Sequence, residues 1–263
     1  MSILAGLNNE AYHANRTHLS SSMLKLLLKD TPEFNKQWNL KQFPVEAENP
    51  NFTLGSYIHA LCLEPDVVDS QYAIWNGPRK AGTAFQEFKA ANSDKKIISA
   101  PQQDMAMQLK AALFSDVVAP MLISGGHAEF NLVGDICGVP VKARTDYINL
   151  EKGYIVDIKT TSTDPDNDSF DLSAADYKYD LSAALYCQIA EQVYMRDFDF
   201  YFIILYKKHG VCRVRKASEG MLRCGKRLVY QSLRLFKACQ ATNNWVLQSP
   251  PEIATIDYDV EEL

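Results

Sequence analysis

Two spacings of apolar residues divide the chain. Between His127 and Thr161 they recur at every second position, as in strands with one buried face. Ala128, Phe130 and Leu132 alternate with His127, Glu129 and Asn131. Val139, Val141, Ala143, Thr145 and Tyr147 alternate with Lys142, Arg144 and Asp146. Tyr154, Val156, Ile158 and Thr160 alternate with Ile155, Asp157 and Lys159. Turn-like sequence at Gly134–Gly138 and Asn149–Gly153 joins the three runs into a meander. Phe198–Tyr206 is almost continuously apolar, as a strand buried on both faces would be, and Val211–Lys216 pairs with it across His209-Gly210.

Elsewhere the spacing is helical. Leu19–Leu28 opens a helix with serines as N-cap candidates, and Thr31-Pro32 starts a second, short one. Phe52–Leu63 stops at Glu64-Pro65, because proline disfavours the helical conformation in the residue before it. Residues 66–98 read as strand, helix, strand, with a turn at Asn76–Pro78 and the helix at Phe85–Ala91. Ser99 and Gln102 make a capping box for the helix Gln102–Phe114. Tyr177–Tyr194 carries an i/i+4 stripe of Leu181, Leu185, Ile189 and Val193, and Ser218–Cys239 is a long basic amphipathic helix. Residues 41–51 and Thr163–Phe170 read as loops, and Ile253–Leu263 as an acidic tail without obvious chemistry. This order predicts one α/β domain over residues 1–263, with a central mixed β-sheet flanked by helices and an N-terminal helical part.

Composition narrows the class. The 263 residues are 47% hydrophobic and 22% charged, an ordinary soluble balance able to bury a core. No apolar run approaches the roughly 18–20 residues of a membrane span, and the N-terminus has no secretory pattern. Six cysteines without a CxxC pair read as reduced thiols in the cytoplasm rather than disulfides or a zinc site. The net charge of −5 is unevenly spread. Lys207, Lys208, Arg213, Arg215, Lys216, Arg223, Lys226, Arg227, Arg234 and Lys237 face a single acid, Glu219, within one stretch of an otherwise acidic chain. Such a segment either tracks a phosphate backbone or is a solvated helix face.

The candidate chemistry sits in the hairpin Val139–Thr161. Folding it about Glu151 sets Asp146 roughly opposite Val156–Asp157, with Lys159 two residues further along. Glu129 on the preceding strand pairs near Ala143 or Arg144, depending on register. Opposed carboxylates repel unless a cation lies between them, so the cluster is either a metal site or a charged strand face in solvent. His59, on an apolar helix, reads by itself more readily as a hydrogen-bonded core residue than as a ligand.

Taken together, the motifs carry a family resemblance. Leu54-Gly-Ser-Tyr-Ile-His59 with Leu63-Glu-Pro-Asp66, Gly126-His-Ala-Glu129, Arg144-Thr-Asp146, Val156-Asp-Ile-Lys-Thr-Thr161, and Asp176-Tyr-Lys-Tyr179 leading to Tyr186 occur in this order. The chain resembles the RecE-type (exonuclease VIII) branch of the PD-(D/E)xK nucleases, of the phage and prophage recombination type, and more distantly lambda-type exonuclease. The resemblance implies that Asp146, Asp157, Glu129, His59 and the Ile158 carbonyl hold Mg²⁺ or Mn²⁺, two ions per site. It implies that Lys159 orients or activates the attacking water, and that Tyr186 stands on the helix beside the site. Most relatives carry glutamine four residues before that tyrosine; here the position is Ser182. The resemblance further implies ATP-independent 5′→3′ digestion of linear double-stranded DNA, in line with the absence of a P-loop sequence. The 3′ single strands would pass to a single-strand annealing protein of the RecT/Redβ type in homologous recombination. It also implies a homo-oligomeric ring, tetramer or trimer, in the cytoplasm of a bacterial host. Arg144, Lys207, Lys208, Arg213, Arg215, Arg223, Lys226 and Arg227 are candidate DNA contacts. The rival readings are an endonuclease or nickase on the same fold, and a DNA-binding protein without catalysis.

Overall fold

A computed structural model of the chain describes Tyr12 and residues 14–43, 50–166 and 168–246. The acidic tail Ile253–Leu263 and most of the loop at 41–51 lie outside these residues. Among the described residues the first full elements are helices α1 (Ser21–Lys29), α2 (Thr31–Trp38) and α3 (Pro50–Leu63). A short helix α4 (Val68–Gln71) leads to strand β1 (Tyr72–Trp75), helix α5 (Thr83–Ala91) and strand β2 (Lys96–Ser99). Helices α6 (Ala100–Ser115) and α7 (Ala119–Leu122) precede the meander β3 (His127–Ile136), β4 (Val139–Asn149) and β5 (Tyr154–Thr161). Helices α8 (Asp168–Asp176) and α9 (Tyr179–Tyr194), strands β6 (Asp199–Tyr206) and β7 (Val211–Lys216), and helix α10 (Glu219–Thr242) complete it.

The α/β expectation holds. A five-stranded sheet runs β3-β4-β5-β6-β7, antiparallel except for the parallel pair β5–β6, which α8 and α9 connect. β1 and β2 form a separate parallel pair. Alternation in β6 shows why that strand has no polar face. Phe200, Phe202 and Ile204 pack into a core shared with α1, α2, α9 and α10, whereas Ile203 and Leu205 face a second core built with α3 and α6.

Four local expectations need correction. β3 runs on to Ile136, so the turn is only Cys137-Gly138, both at positive φ, rather than Gly134–Gly138. This tighter turn sets Ala128 against Tyr147 and Phe130 against Thr145, so Glu129 falls at the level of Asp146, not of Ala143 or Arg144. The stretch Thr163–Phe170 is not all loop, because α8 begins at Asp168. The helix expected at Tyr177 starts at Tyr179, after Lys178 turns the backbone left-handed (φ 50°).

Both flanking layers are pinned to the sheet. Ser20 caps α1, its Oγ accepting from Met23 N at 3.4 Å, and Leu19 just before it bridges Val141 in β4. α10 crosses α9 at Gly225, where an added Cβ would lie 2.0 Å from the Asp180 carbonyl oxygen and 2.8 Å from Ala184 Cβ. Backbone cannot move aside as a flexible side chain can. Gly225→Ala is therefore expected to lower stability by about 1–3 kcal/mol, read as a lower midpoint in denaturant unfolding.

Candidate active site

The site exists because β4 and β5 part company. Their ladder holds only the pairs Tyr147↔Val156, Ile148↔Ile155 and Asn149↔Tyr154, while β5 stays paired to β6 along its whole length. Past Val156 the inner edge of β5 faces a gap, and its backbone groups need other partners. Ile158 N–H donates to Asp146 Oδ2 at 2.7 Å, and the Ile158 carbonyl accepts from His59 Nε2 at 2.9 Å. Further along β4, Leu19 takes the edge that β5 has left, with Leu19 N to Pro140 O and Lys142 N to Leu19 O both 2.9 Å.

The hydrogen bond to the Ile158 carbonyl settles the histidine's orientation. A carbonyl can only accept, so Nε2 carries the hydrogen, and a neutral His59 turns its Nδ1 lone pair toward Asp146 Oδ2, 3.4 Å away. Two lone pairs at that distance call for a proton or a metal ion between them. Glu129 supplies the third donor: ligand atoms of His59, Glu129 and Asp146 all lie within 4.8 Å of one another. Glu129 reaches this position from a left-handed backbone (φ 49°), which is costly for a residue with a Cβ. Arg144 holds it there, Nε to Glu129 Oε2 at 2.6 Å, and also reaches Asn131 Oδ1 at 3.3 Å. One imidazole, two carboxylates and a nearby carbonyl suit a hard or borderline divalent ion such as Mg²⁺ or Mn²⁺.

Asp157 and Lys159 follow on the same face of β5. Asp157 is buried, and its Oδ2 lies 2.5 Å from Lys159 Nζ, so the structure joins it to the lysine rather than to the three metal donors. Lys159 also lies over the Tyr179 ring, 5.1 Å from its centroid. Tyr186 stands beside the site with Oη 3.3 Å from Ser21 Oγ, and burial raises its pKa. Ser182 is half-buried one turn earlier on α9. Gln188 points elsewhere, donating to Tyr230 Oη on α10 at 3.1 Å, so it does not take the place of the relatives' glutamine.

Electrostatics follow from burial. Burial pushes the Glu129 carboxyl above the ordinary carboxylate range; the Asp146 charge adds to this and Arg144 opposes it. Asp146 is raised too, by burial first; His59 opposes the shift and Asp157 adds to it. For Lys159, burial favours the neutral amine, but Asp157 and Asp146 outweigh it and hold the ammonium charged well above the usual lysine range.

A cavity of about 290 Å³ opens onto Glu129 and Asp146. Arg16, His18, the serines at the start of α1, Lys142 and Arg144 line the rest. Lys142 is buried, donating to the Tyr12 and Asn15 carbonyls at 2.6 and 2.7 Å, so it fastens the segment carrying Arg16 over the cavity. Sequence reasoning missed Arg16, Lys142 and Lys25, which belong to no motif. In the sequence Lys142 shares the charged face of its strand with Arg144 and Asp146, so the pattern gives no signal that sets it apart.

The basic segment does not act as a unit. Arg213 is held by Asp166 through two bonds of 2.7 Å, and Arg215 by Asp171 at 2.8 Å and by the Pro165 carbonyl. Lys207 and Lys208 lie in the β6–β7 turn. Arg223, Lys226 and Arg227 lie with Tyr230 and Arg234 along an open groove on α10, Lys226 being 3.6 Å from Glu191.

The family comparison agrees with this geometry. Residues 20–250 match the family described as a PDDEXK-like domain of unknown function (DUF3799). The chain belongs to that family. A crystal structure described as "Putative exonuclease" from Eubacterium rectale superposes with a TM-score of 0.65 at 17% identity, covering 94% of this chain and 96% of that one. At that identity the likeness speaks for the fold. A second solved structure, SSO0001, covers 72% of this chain and 87% of its own at 11% identity, but its TM-score of 0.30 carries no weight. No curated protein matches. Membership in a PDDEXK-like family, together with the His–Glu–Asp cluster, supports a nuclease that uses a divalent metal.

A carboxyl whose folded pKa lies above its unfolded value binds protons better when folded, so its contribution is present at low pH and lost as pH rises through the folded pKa. Ionised Glu129 and Asp146 thus weaken the metal-free fold near neutrality, and a divalent ion should reverse this. Thermal unfolding is expected to shift upward with Mg²⁺ or Mn²⁺ at pH 7.5. The shift should shrink as pH falls toward 5.5 and be lost in Asp146→Asn.

Proposed function

We propose that the protein is a metal-dependent, ATP-independent exonuclease that digests linear double-stranded DNA 5′→3′ and leaves 3′ single strands for an annealing protein in homologous recombination. The observation that carries the nuclease reading is the convergence of His59, Glu129 and Asp146 beside the Asp157–Lys159 pair, at the mouth of a cationic cavity. Polarity, the annealing partner and a ring of three or four subunits rest on the resemblance of the motifs to RecE-type enzymes.

His59, Glu129, Asp146 and, on the resemblance, Asp157 and the Ile158 carbonyl would hold the ion. Its chemistry when bound is to polarise a phosphoryl oxygen and lower the pKa of water. Lys159, kept charged by its acidic neighbours, faces the negative charge that develops on the phosphorus and supplies a fixed, preorganised cation for it. Asp157 orients the lysine across a 2.5 Å contact. Arg144 offsets part of the repulsion that Glu129 feels from Asp146 and keeps the Glu129 carboxylate in place, while the Ile158 N–H holds Asp146. Arg16, with the serine hydroxyls and backbone at the start of α1, supplies donors suited to a neighbouring phosphate of the strand. The groove on α10 offers cations for the duplex beyond the site.

Incubation with Mg²⁺ and end-labelled linear duplex, with covalently closed circles in parallel, tests this reading. Linear DNA should lose its 5′-terminated strands from the ends while circles persist. Asp146→Asn and Lys159→Met should each lower the rate by about 10²-fold or more. Digestion of circles would instead make the protein an endonuclease, and an unchanged rate in Asp146→Asn would refute the site.

A further inference from the structure

Helix α1 delivers more than the cavity rim. Ser21 and Lys25 are one turn apart on the same side of α1, and Tyr186 and Tyr179 are two turns apart on α9. The two helices meet along these positions: Ser21 Oγ lies 3.3 Å from Tyr186 Oη, and Lys25 Nζ lies 5.7 Å from the centroid of the Tyr179 ring. Lys159, from the sheet, approaches the same ring at 5.1 Å. Tyr179 is itself fixed, stacked on Tyr177 at 5.8 Å and on Phe202 at 6.1 Å. One immobilised ring thus receives two ammonium groups, one from each layer.

The two lysines are not equivalent. Lys159 has a carboxylate partner in Asp157, but among the described residues no carboxylate comes within 4.0 Å of the Lys25 ammonium. The charged and titratable groups around it are Lys159 and Asp157 from β5, Tyr179 and Asp180 from α9, and Lys178 just before that helix. Burial and the repulsion of Lys159 bring its pKa down to about 8, against the pull of Asp157 and Asp180. A half-buried cation beside another cation, without an ion-pair partner, carries a desolvation cost that an incoming anion would offset. A lysine serving only to hold α1 in place would gain more from an apolar stem alone.

We propose that Lys25 is a phosphate-contacting residue of the active site, which pairs with Lys159 across Tyr179 to grip the DNA backbone at or next to the scissile linkage. This rests on the nuclease reading above and adds a residue from outside its motifs. Lys159 acts from the sheet and Lys25 from the N-terminal helical layer, so a backbone lying between the layers meets a cation on each side. A charge-assisted contact of this kind is worth about 10–100-fold in rate or affinity.

The experiment measures single-turnover cleavage of a linear duplex in Mg²⁺ by wild type, Lys25→Met and Lys25→Arg. The duplexes are unmodified or carry one neutral methylphosphonate at the scissile linkage or at either neighbour. Lys25→Met should lose about 10–100-fold and Lys25→Arg should keep most of the rate. At one linkage, the methylphosphonate should slow wild type far more than it slows Lys25→Met. As a measurement that needs no variant, acetylation of wild-type Lys25 followed by mass spectrometry should show protection by a phosphorothioate duplex. Active wild type with Lys25→Met equally fast, or with Met and Arg equally impaired, would overturn the proposal while leaving the nuclease reading intact. So would unchanged labelling of Lys25 with duplex present. Wild type without metal-dependent cleavage would overturn both.

Discussion

Everything chemical in this protein follows from the gap between β4 and β5. A continuous ladder would have paired Ile158 with β4 backbone and left Asp146 no reason to turn inward. Because the strands separate after Tyr147↔Val156, two backbone groups of Ile158 must be satisfied by side chains, and Asp146 and His59 do so at 2.7 and 2.9 Å. These two candidate metal donors are therefore positioned by the same bonds that satisfy the sheet edge. The gap also lets Leu19 pair with β4, which brings the start of α1, and with it Ser21 and Lys25, over the site.

The two cores serve the site from opposite sides. His59 comes from α3, whose apolar residues pack with Val156 and Ile158 on one face of the sheet. Tyr179 and Tyr186 come from α9, which packs on the other face with Phe200 and Phe202. A residue from each layer thus converges where the sheet itself is interrupted. Close approach of α10 at Gly225 fixes α9 against sliding, so the tyrosines keep their height above β5.

Strand periodicity made the strands legible but their faces only in part: the continuous apolar run of β6 reports burial on both sides, whereas β5, which alternates in sequence, is buried at every position from Tyr154 to Ile158. The pairing of Asp146 with the level of Asp157 followed from the turn about Glu151. Glu129 was misplaced because Cys137-Gly138 closes the first hairpin more tightly than a turn spread over Gly134–Gly138, and each residue moved into the strand shifts the register. Lys25, Arg16 and Lys142 were not legible. Their importance comes from the bridge between Leu19 and Val141, a contact across more than a hundred residues that no local pattern announces. Nor does charge counting show that Arg213 and Arg215 are already occupied by Asp166 and Asp171 while the α10 groove stays open.

Glu129 holds a backbone conformation that glycine would adopt freely and glutamate does not, with φ at 49°. The strain is not needed to close the hairpin, whose turn begins eight residues away at Cys137, but it swings a carboxylate toward His59 and Asp146. A glycine there would relax the strand and discard a carboxylate of the cluster in one step. The position therefore separates two pressures that usually coincide: selection for a more robust fold would remove Glu129, and only selection on the function of the His59–Glu129–Asp146 cluster would restore it.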